Sequence, residues 1–310
     1  MNNNLANIKK SIFFLNKNEC VAIPTETVYG LAANAYSSKS VKKIYSLKKR
    51  PRNNPSIVHY SSLNKLKKDC ELNKNFLILY KKFCPGPITF VLKLKKKSRI
   101  SSIVTNNKKT VAVRFPKNKL TQKLLKLLKY PLAAPSANIS TKISPVSKDD
   151  VKEEFGNKIK YILDGGRSKI GLESTIISLV DKPKILRLGG IERTRINKVL
   201  NKNIKYNKTN KKITVPGQSK LHYSPGIPIK LNTTKPQPNE AFILIKKRKK
   251  SYKNYYYLSK NKNLKEAAKN LYKILRMIKN KNYKRIVVEK IPNIGLGEVI
   301  NDRLKRASYK

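Results

Sequence analysis

Acidic residues are scarce: 17 Asp and Glu stand against 71 Lys and Arg in 310 residues, a formal charge of +54. A buried cation therefore has few carboxylates to pair with, and the surface will attract polyanions at low salt. Cysteine is rarer still. Cys20, Cys70 and Cys84 form no Cys-x-x-Cys pair and leave an odd count, which argues against a disulfide framework and a zinc site and fits a reducing compartment. The chain has only two histidines, and no nucleophile carries a recognisable base beside it, so covalent catalysis is not indicated. A Gly-x-x-x-x-Gly-Lys-Ser/Thr phosphate loop is missing. The apolar run near the N-terminus is too short for a signal peptide, that segment lacks the arginines of a transit sequence, and no stretch approaches a membrane span. The expectation is a soluble, cytoplasmic protein without membrane contact.

What is present suffices for a folded chain. Hydrophobic residues make up 39%, and the length suits one large or two modest domains. Leu5, Ile8, Ile12 and Leu15 mark a first helix, and Ser38 is placed to cap a second that carries Val41, Ile44, Tyr45 and Leu47. Further helices are read at 63–70, 75–83, 119–128 and 147–155. Strands are read at 20–24, 56–60, 88–94, 110–115, 131–135, 160–163 and 174–180, an alternation that speaks for an α/β or α+β sheet. From Asn201 to Gln218 the apolar period disappears and a linker is expected. Beyond it, strands near 227–232, 240–246, 254–258 and 285–291 alternate with helices at 264–278 and from about 297, the order of a small parallel Rossmann-like sheet. Its GLGEV is only a fragment of a dinucleotide fingerprint.

The charge admits two readings. Lysine is spread over nearly every segment together with abundant Asn, Ile and Tyr, which is what an AT-rich coding sequence leaves behind. A local basic stripe would speak more directly for nucleic acid. Weak RNA binding nevertheless stays open as an alternative function for a non-catalytic module.

Chemistry concentrates in a repeated design. IPTETVYG, NNPSIVHY, VAVRFP, LAAPSANIS, LDGG, GLEST and ILRLGG each run from an apolar strand into a short polar tip. Many such tips in one unit suggest one shared cleft. In SLKKRPRNNPSIVHY, Lys48 and Arg50 are fenced by Pro51 and Pro55, and Asn54 adds an amide. With Ser136 and Asn138 these would suit a polyphosphate. Arg114 ends a predicted strand; a carboxylate-bearing ligand is the favoured partner there over a structural acid, because acids are few. His59 by itself reads as a satisfied, half-buried histidine, and Glu26 and Glu173 as structural.

Taken together, IPTETVYGLAANA, IYSLKKRPRNNPSIVH, CPGPITFVL, VAVRFP, PLAAPSANIS, LDGG, GLESTII and PGQSKLHYSPG closely resemble, in this order, the Sua5/YrdC/YciO family of threonylcarbamoyl-AMP synthases. The resemblance spans about residues 5–226, and the helix at 264–278 followed by GLGEVINDRLKRAS looks like the C-terminal domain of the longer Sua5 type. It implies an α/β fold with a twisted, open mixed sheet around a positive cavity, plus a small Rossmann-like α/β domain. The expected division is a catalytic domain at 1–200, a linker at 201–226 folding over the active site, and a C-terminal domain at 227–310. The implied activity is an ATP-dependent nucleotidyl transfer: L-threonine, bicarbonate and ATP, with Mg2+, yield threonylcarbamoyl-AMP and pyrophosphate. The product would pass to the machinery that makes threonylcarbamoyladenosine (t6A) in tRNA.

Carried over onto matching positions, the resemblance implies that Lys48 and Arg50 act in catalysis and bind the nucleotide together with Asn54, Thr110, Ser136, Asn138, Ser144, Arg187 and Tyr223. Threonine would meet Thr27, His59, Arg114, Ala134 and Ser174; the ligands of any metal are not specified. There are departures: Ser140 and Thr141 stand where the family commonly has Ser-Gly, Leu188 replaces a proline after Arg187, and Cys84 replaces an aromatic. A carbamoyltransferase maturation factor with a similar domain normally adds acylphosphatase and Cys-x-x-Cys zinc modules, and neither occurs here.

Overall fold

The computed structural model describes residues 2–206 and 215–309. The linker expected at 201–226 thus includes residues, 207–214, that lie outside the described residues. Helices are α1 (Asn2–Asn16), α2 (Ser38–Leu47), α3 (Leu63–Leu66), α4 (Lys74–Phe83), α5 (Ser102–Thr105), α6 (Lys119–Leu127), α7 (Lys148–Phe155), α8 (Arg193–Leu200), α9 (Leu264–Lys279) and α10 (Leu296–Ala307).

Nine strands build the large sheet: β1 (Val21–Ile23), β2 (Gly30–Asn34), β3 (Ile57–His59), β4 (Ile88–Lys93), β5 (Thr110–Arg114), β6 (Leu132–Ala133), β7 (Tyr161–Ile162), β8 (Thr175–Ser178) and β9 (Lys184–Arg187). Their order is β7-β1-β2-β6-β3-β5-β4-β8-β9. The β1–β7, β3–β5 and β4–β8 pairs are parallel and the rest antiparallel, an open mixed sheet as expected. A second, all-parallel sheet runs β10 (Ile229–Leu231), β13 (Arg285–Val288), β11 (Glu240–Leu244), β12 (Tyr255–Tyr257). No helix among the described residues is long and apolar enough to cross a membrane.

Strand alternation decides where a cavity can form. Successive side chains on a strand face opposite ways, and on the central strands one set joins the main core: Val58 of β3, Phe90 and Leu92 of β4, Val111 and Val113 of β5, Ile177 of β8. The opposite set, Ile57, Val91, Ala112 and Ile176, forms a small separate cluster covered by Val215. This second face carries the functional cleft.

Local differences from the sequence reading have simple causes. Ser37, not Ser38, caps α2, its hydroxyl accepting the Ser40 N–H; the Ser38 hydroxyl bonds Ser101 instead. Helix α3 ends at Leu66 rather than residue 70, because Cys70 bridges to Leu94. Strand β2, GLAAN, was not expected as a strand: alanine has little strand preference, but between β1 and β6 its small side chains are fully buried. Gly189 has a stricter requirement, since a Cβ there would sit 2.4 Å from the Glu173 carbonyl and the Thr175 nitrogen.

Candidate active site

Parallel strands β3 and β5 end in register with His59 opposite Arg114, so two tips from distant sequence deliver a ring and a guanidinium side by side. Strands β4 and β8 run antiparallel to them, which brings the start of β8, preceded by Glu173 and Ser174, to the same edge. Strand β9 returns beside β8 and ends at Arg187. A partly enclosed cavity opens over this face, a concave setting of the kind that small-molecule sites use.

Its walls hold Arg50, Arg114 and Arg187 against one acid, Glu173, together with His59, Ala134, Ser136 and Tyr223. Arg50 is held rigidly. Its Nε donates to the Asn54 carbonyl at 3.0 Å and its Nη2 to Asn54 Oδ1 and the Pro55 carbonyl, both at 2.7 Å. Burial, with Arg187 adding to it, pushes the Arg50 guanidinium down to about 10, so it remains charged at neutral pH. Arg187 donates to the Ser174 carbonyl and hydroxyl and to the Pro216 carbonyl.

Other expected residues stand one layer back. Lys48, only 1% exposed, donates to the Ser136 carbonyl at 2.7 Å and to that of Asn138, and so ties the α2 end to the SAN tip. Burial drives its amine well below the ordinary lysine range, with Arg50 adding to the effect. Thr27 bonds Thr25, which does line the cavity; Ser174 bonds Thr89; Ser144 donates to Glu173. The amide of Asn138 is engaged by local carbonyls. Thr110 lines a small neighbouring cavity that shares Val215 with the small cluster.

Arg114 corrects the sequence reading. Its Nη2 donates to Glu26 Oε1 at 2.7 Å, so a structural acid is present despite the scarcity of acids, while its Nε stays without a partner. Glu26 is in turn fixed by the Lys117 N–H. His59 is less well satisfied than expected on its own pattern: its ring nitrogens lack a partner in good hydrogen-bond geometry, and burial followed by Arg114 pushes the ring down to about 3, against weaker upward pulls from the Ile57 and Leu132 backbone. It is neutral and lines the cavity.

Several site residues were missed. Thr25, Gly217 and His222 line the cavity, and Glu173, read as structural, faces it. His222 adjoins Tyr223 in a polar segment and carried no period to reveal it. Gly217 has φ +84° and a Cβ there would lie 2.8 Å from the Tyr223 hydroxyl, so only glycine lets this turn press onto the site. Thr141, at the position where the resemblance predicts glycine, adopts φ +72°, a costly conformation for a β-branched residue. Its carbonyl accepts the Ser224 N–H. Thr141→Gly is expected to raise stability by about 1 kcal/mol, the relief of left-handed strain exceeding glycine's entropic cost; a urea midpoint no higher than that of the parent would contradict this.

The family model described as "Telomere recombination" (Sua5/YciO/YrdC) matches residues 14–189. A second, "Threonylcarbamoyl-AMP synthase, C-terminal domain", matches 191–308. A threonylcarbamoyl-AMP synthase of Pyrococcus abyssi is 36% identical, over 95% of this chain and 92% of its own. One from Bacillus subtilis is 34% identical over 97% and 92%. The crystal structure of P. abyssi Sua5 complexed with L-threonine superposes with a TM-score of 0.89 at 34% identity, covering 97% of this chain and 94% of that one. The chain therefore belongs to the Sua5/YciO/YrdC family, in the form that carries the Sua5 C-terminal domain.

Proposed function

We infer that this protein is a threonylcarbamoyl-AMP synthase, joining L-threonine, bicarbonate and ATP and releasing pyrophosphate. The observation that carries the reading is the convergence of three arginines, from separate tips, on one cavity in a chain that matches a threonine-bound relative over nearly its whole length. Both reactants, a threonine-derived carbamate and ATP, are anionic, so their encounter is repelled unless fixed cations offset the charge. Arg50 and Arg187 face the side where Ser136 and Tyr223 would receive the nucleotide. Arg114, with its free Nε, and neutral His59 face the side where threonine would lie; His59 can donate or accept a hydrogen bond without adding charge. Lys48 acts from behind, holding the Ser136–Asn138 tip in place.

In this reading residues 1–200 form the catalytic unit, 201–226 a strap closing it and 227–310 the C-terminal unit. Support for the strap comes from Val215, buried on the sheet face, and from Gly217 and Tyr223 at the cavity. Closure would keep water from a carbamate and a mixed anhydride, both of which hydrolyse readily. A protein-held magnesium does not fit the residues present: among the described residues the one carboxylate lining the cavity, Glu173, is engaged by Arg303, and no group of three or more His, Cys, Asp or Glu could hold a metal ion. Magnesium is accordingly treated as part of the ATP substrate. Delivery of the product to a tRNA-modifying transferase completes the reading.

The test is incubation of the purified protein with ATP, bicarbonate and labelled threonine. Pyrophosphate release that requires threonine, with a labelled adenylate, is expected; equal turnover without threonine would count against the synthase.

A further inference from the structure

Glu173 sits at the cavity, yet two of its three side-chain partners come from the far end of the chain. Its Oε1 accepts the Ser144 hydroxyl at 2.7 Å and the Tyr272 hydroxyl at 3.0 Å; its Oε2 accepts Tyr272 again at 2.9 Å and Arg303 Nε at 2.9 Å. Tyr272 belongs to α9 and Arg303 to α10. Arg303 is fully buried, its Nη2 also reaches the Leu188 carbonyl at 2.6 Å, one residue past Arg187, and its guanidinium lies 4.9 Å from the Tyr223 ring. Tyr272 stacks on Tyr223 at 5.7 Å. One helical turn on, Arg276 donates to the Ile143 carbonyl at 2.7 Å, beside Ser144. The backbone of α9 approaches so closely that a Cβ on Gly171, φ +75°, would lie 2.6 Å from the Lys269 carbonyl.

We propose that the C-terminal unit completes the nucleotide half of the active site, with Tyr272 and Arg303 as positioning residues that hold Glu173, Ser144 and Tyr223 and the backbone next to Arg187. This rests on the synthase reading for the identity of the nucleotide. Ser144, Arg187 and Tyr223 are all assigned to the nucleotide side; Tyr272 and Arg303 make no bond to His59 or Arg114, and the network reaches the threonine-side Ser174 only through Arg187 and the adjoining Glu173. A defect in it should therefore weaken ATP and spare threonine. That asymmetry separates positioning from general loss of structure.

The electrostatics give a second readout. Burial alone would raise the Glu173 carboxyl, but Arg303 and Arg187, with the hydrogen bonds from Ser144 and Arg303, hold it down to about 2. Tyr272 from α9, and Tyr223 and His222 from the linker, are the other titratable groups facing it. Without the Arg303 charge burial dominates, the carboxyl rises, and activity should fall as pH drops through its new value.

The experiment compares wild type, Tyr272→Phe, Arg303→Met, Arg303→Lys and the double variant Arg303→Met with Glu173→Gln, measuring turnover, calorimetric ATP binding and pH profiles. Arg303→Met is expected to raise KM and Kd for ATP about tenfold with the KM for threonine unchanged, the scale of one lost charged hydrogen bond. It should also move the acid limb of activity up by about one unit or more; the added Glu173→Gln should remove that limb. Arg303→Lys, keeping the charge, should restore the limb but not the affinity. Equal loss for both substrates, or an unmoved limb, overturns the proposal. Should Arg303→Met not fold, Tyr272→Phe keeps the ring on Tyr223 and decides alone: several-fold weaker ATP binding supports the network, wild-type binding overturns it. Wild type that binds ATP without threonine-dependent turnover would refute the synthase reading and leave the network to be judged on binding.

Discussion

Arg50→Met is expected to lower threonine-dependent pyrophosphate release by roughly a hundredfold to a thousandfold, the scale on which removal of one preorganised charge donor acts. Arg50 is fixed by Asn54 and Pro55 before any ligand arrives, so it meets developing charge without reorganising. Loss of one of three arginines at the cavity also leaves Glu173 less outnumbered, which strengthens the repulsion of both substrates. Arg50→Lys should recover little, because a lysine cannot reproduce the planar fork that bonds the 54–55 backbone. Steady-state pyrophosphate release checks this, and activity within a few-fold of wild type would remove Arg50 from the mechanism. Lys48 serves as a contrast. Its bonds run to the Ser136 and Asn138 carbonyls, so Lys48→Met should lower the thermal midpoint and, through it, turnover, whereas Arg50→Met, which also frees the Asn54 and Pro55 carbonyls, should lower turnover far more than its loss of stability accounts for.

Acid should unfold this protein unusually early. His59 and His222 are both held near 3, chiefly by burial; Glu173 pulls His222 the other way, while Arg114 lowers His59 and Lys48, Arg50 and Arg303 lower His222. A ring whose folded pKa lies below its unfolded value of about 6.5 takes up a proton more readily when unfolded. The associated stability is whole above pH 6.5 and is lost as pH falls toward 3. Each unit below 6.5 removes about 1.4 kcal/mol per ring, so by pH 5 the two together remove about 4 kcal/mol. That is a large share of a typical stability of about 5–15 kcal/mol. Glu173 acts later: its contribution is present above the ordinary carboxylate value and is lost as pH falls toward about 2. Urea midpoints between pH 7.5 and 5 should fall steeply in wild type and much less in a His59→Gln, His222→Gln double variant. A flat profile in wild type would mean that these rings are not buried neutral in solution.

Legibility differed with the range of the interactions involved. Strands such as ITFVLKL and TVAVRF carry enough apolar and β-branched residues to be seen alone, and they became β4 and β5. GLAAN did not, since its strand character comes from neighbours rather than from its own residues. Arg50 and Arg114 could be named from their own tips, whereas His59 and Arg187 were named as site residues only through the family resemblance. Glu173 could not be separated from a structural glutamate. Its neighbours in the chain, Leu172 and Ser174, say nothing of Tyr272 and Arg303, 99 and 130 residues away.

The amino-acid order by itself determined the α/β class, the two successive units, the family and the basic character of the tips, because period, turn chemistry and motif order are properties of adjacent residues. The tertiary structure decided which cation faces the cavity and which stands behind it, that Arg114 shares its charge with Glu26, and that Tyr272 and Arg303, from the two C-terminal helices, pack on Tyr223. Those are matters of burial and pairing between distant segments, and a charge acquires its partner and its desolvation only when the chain packs.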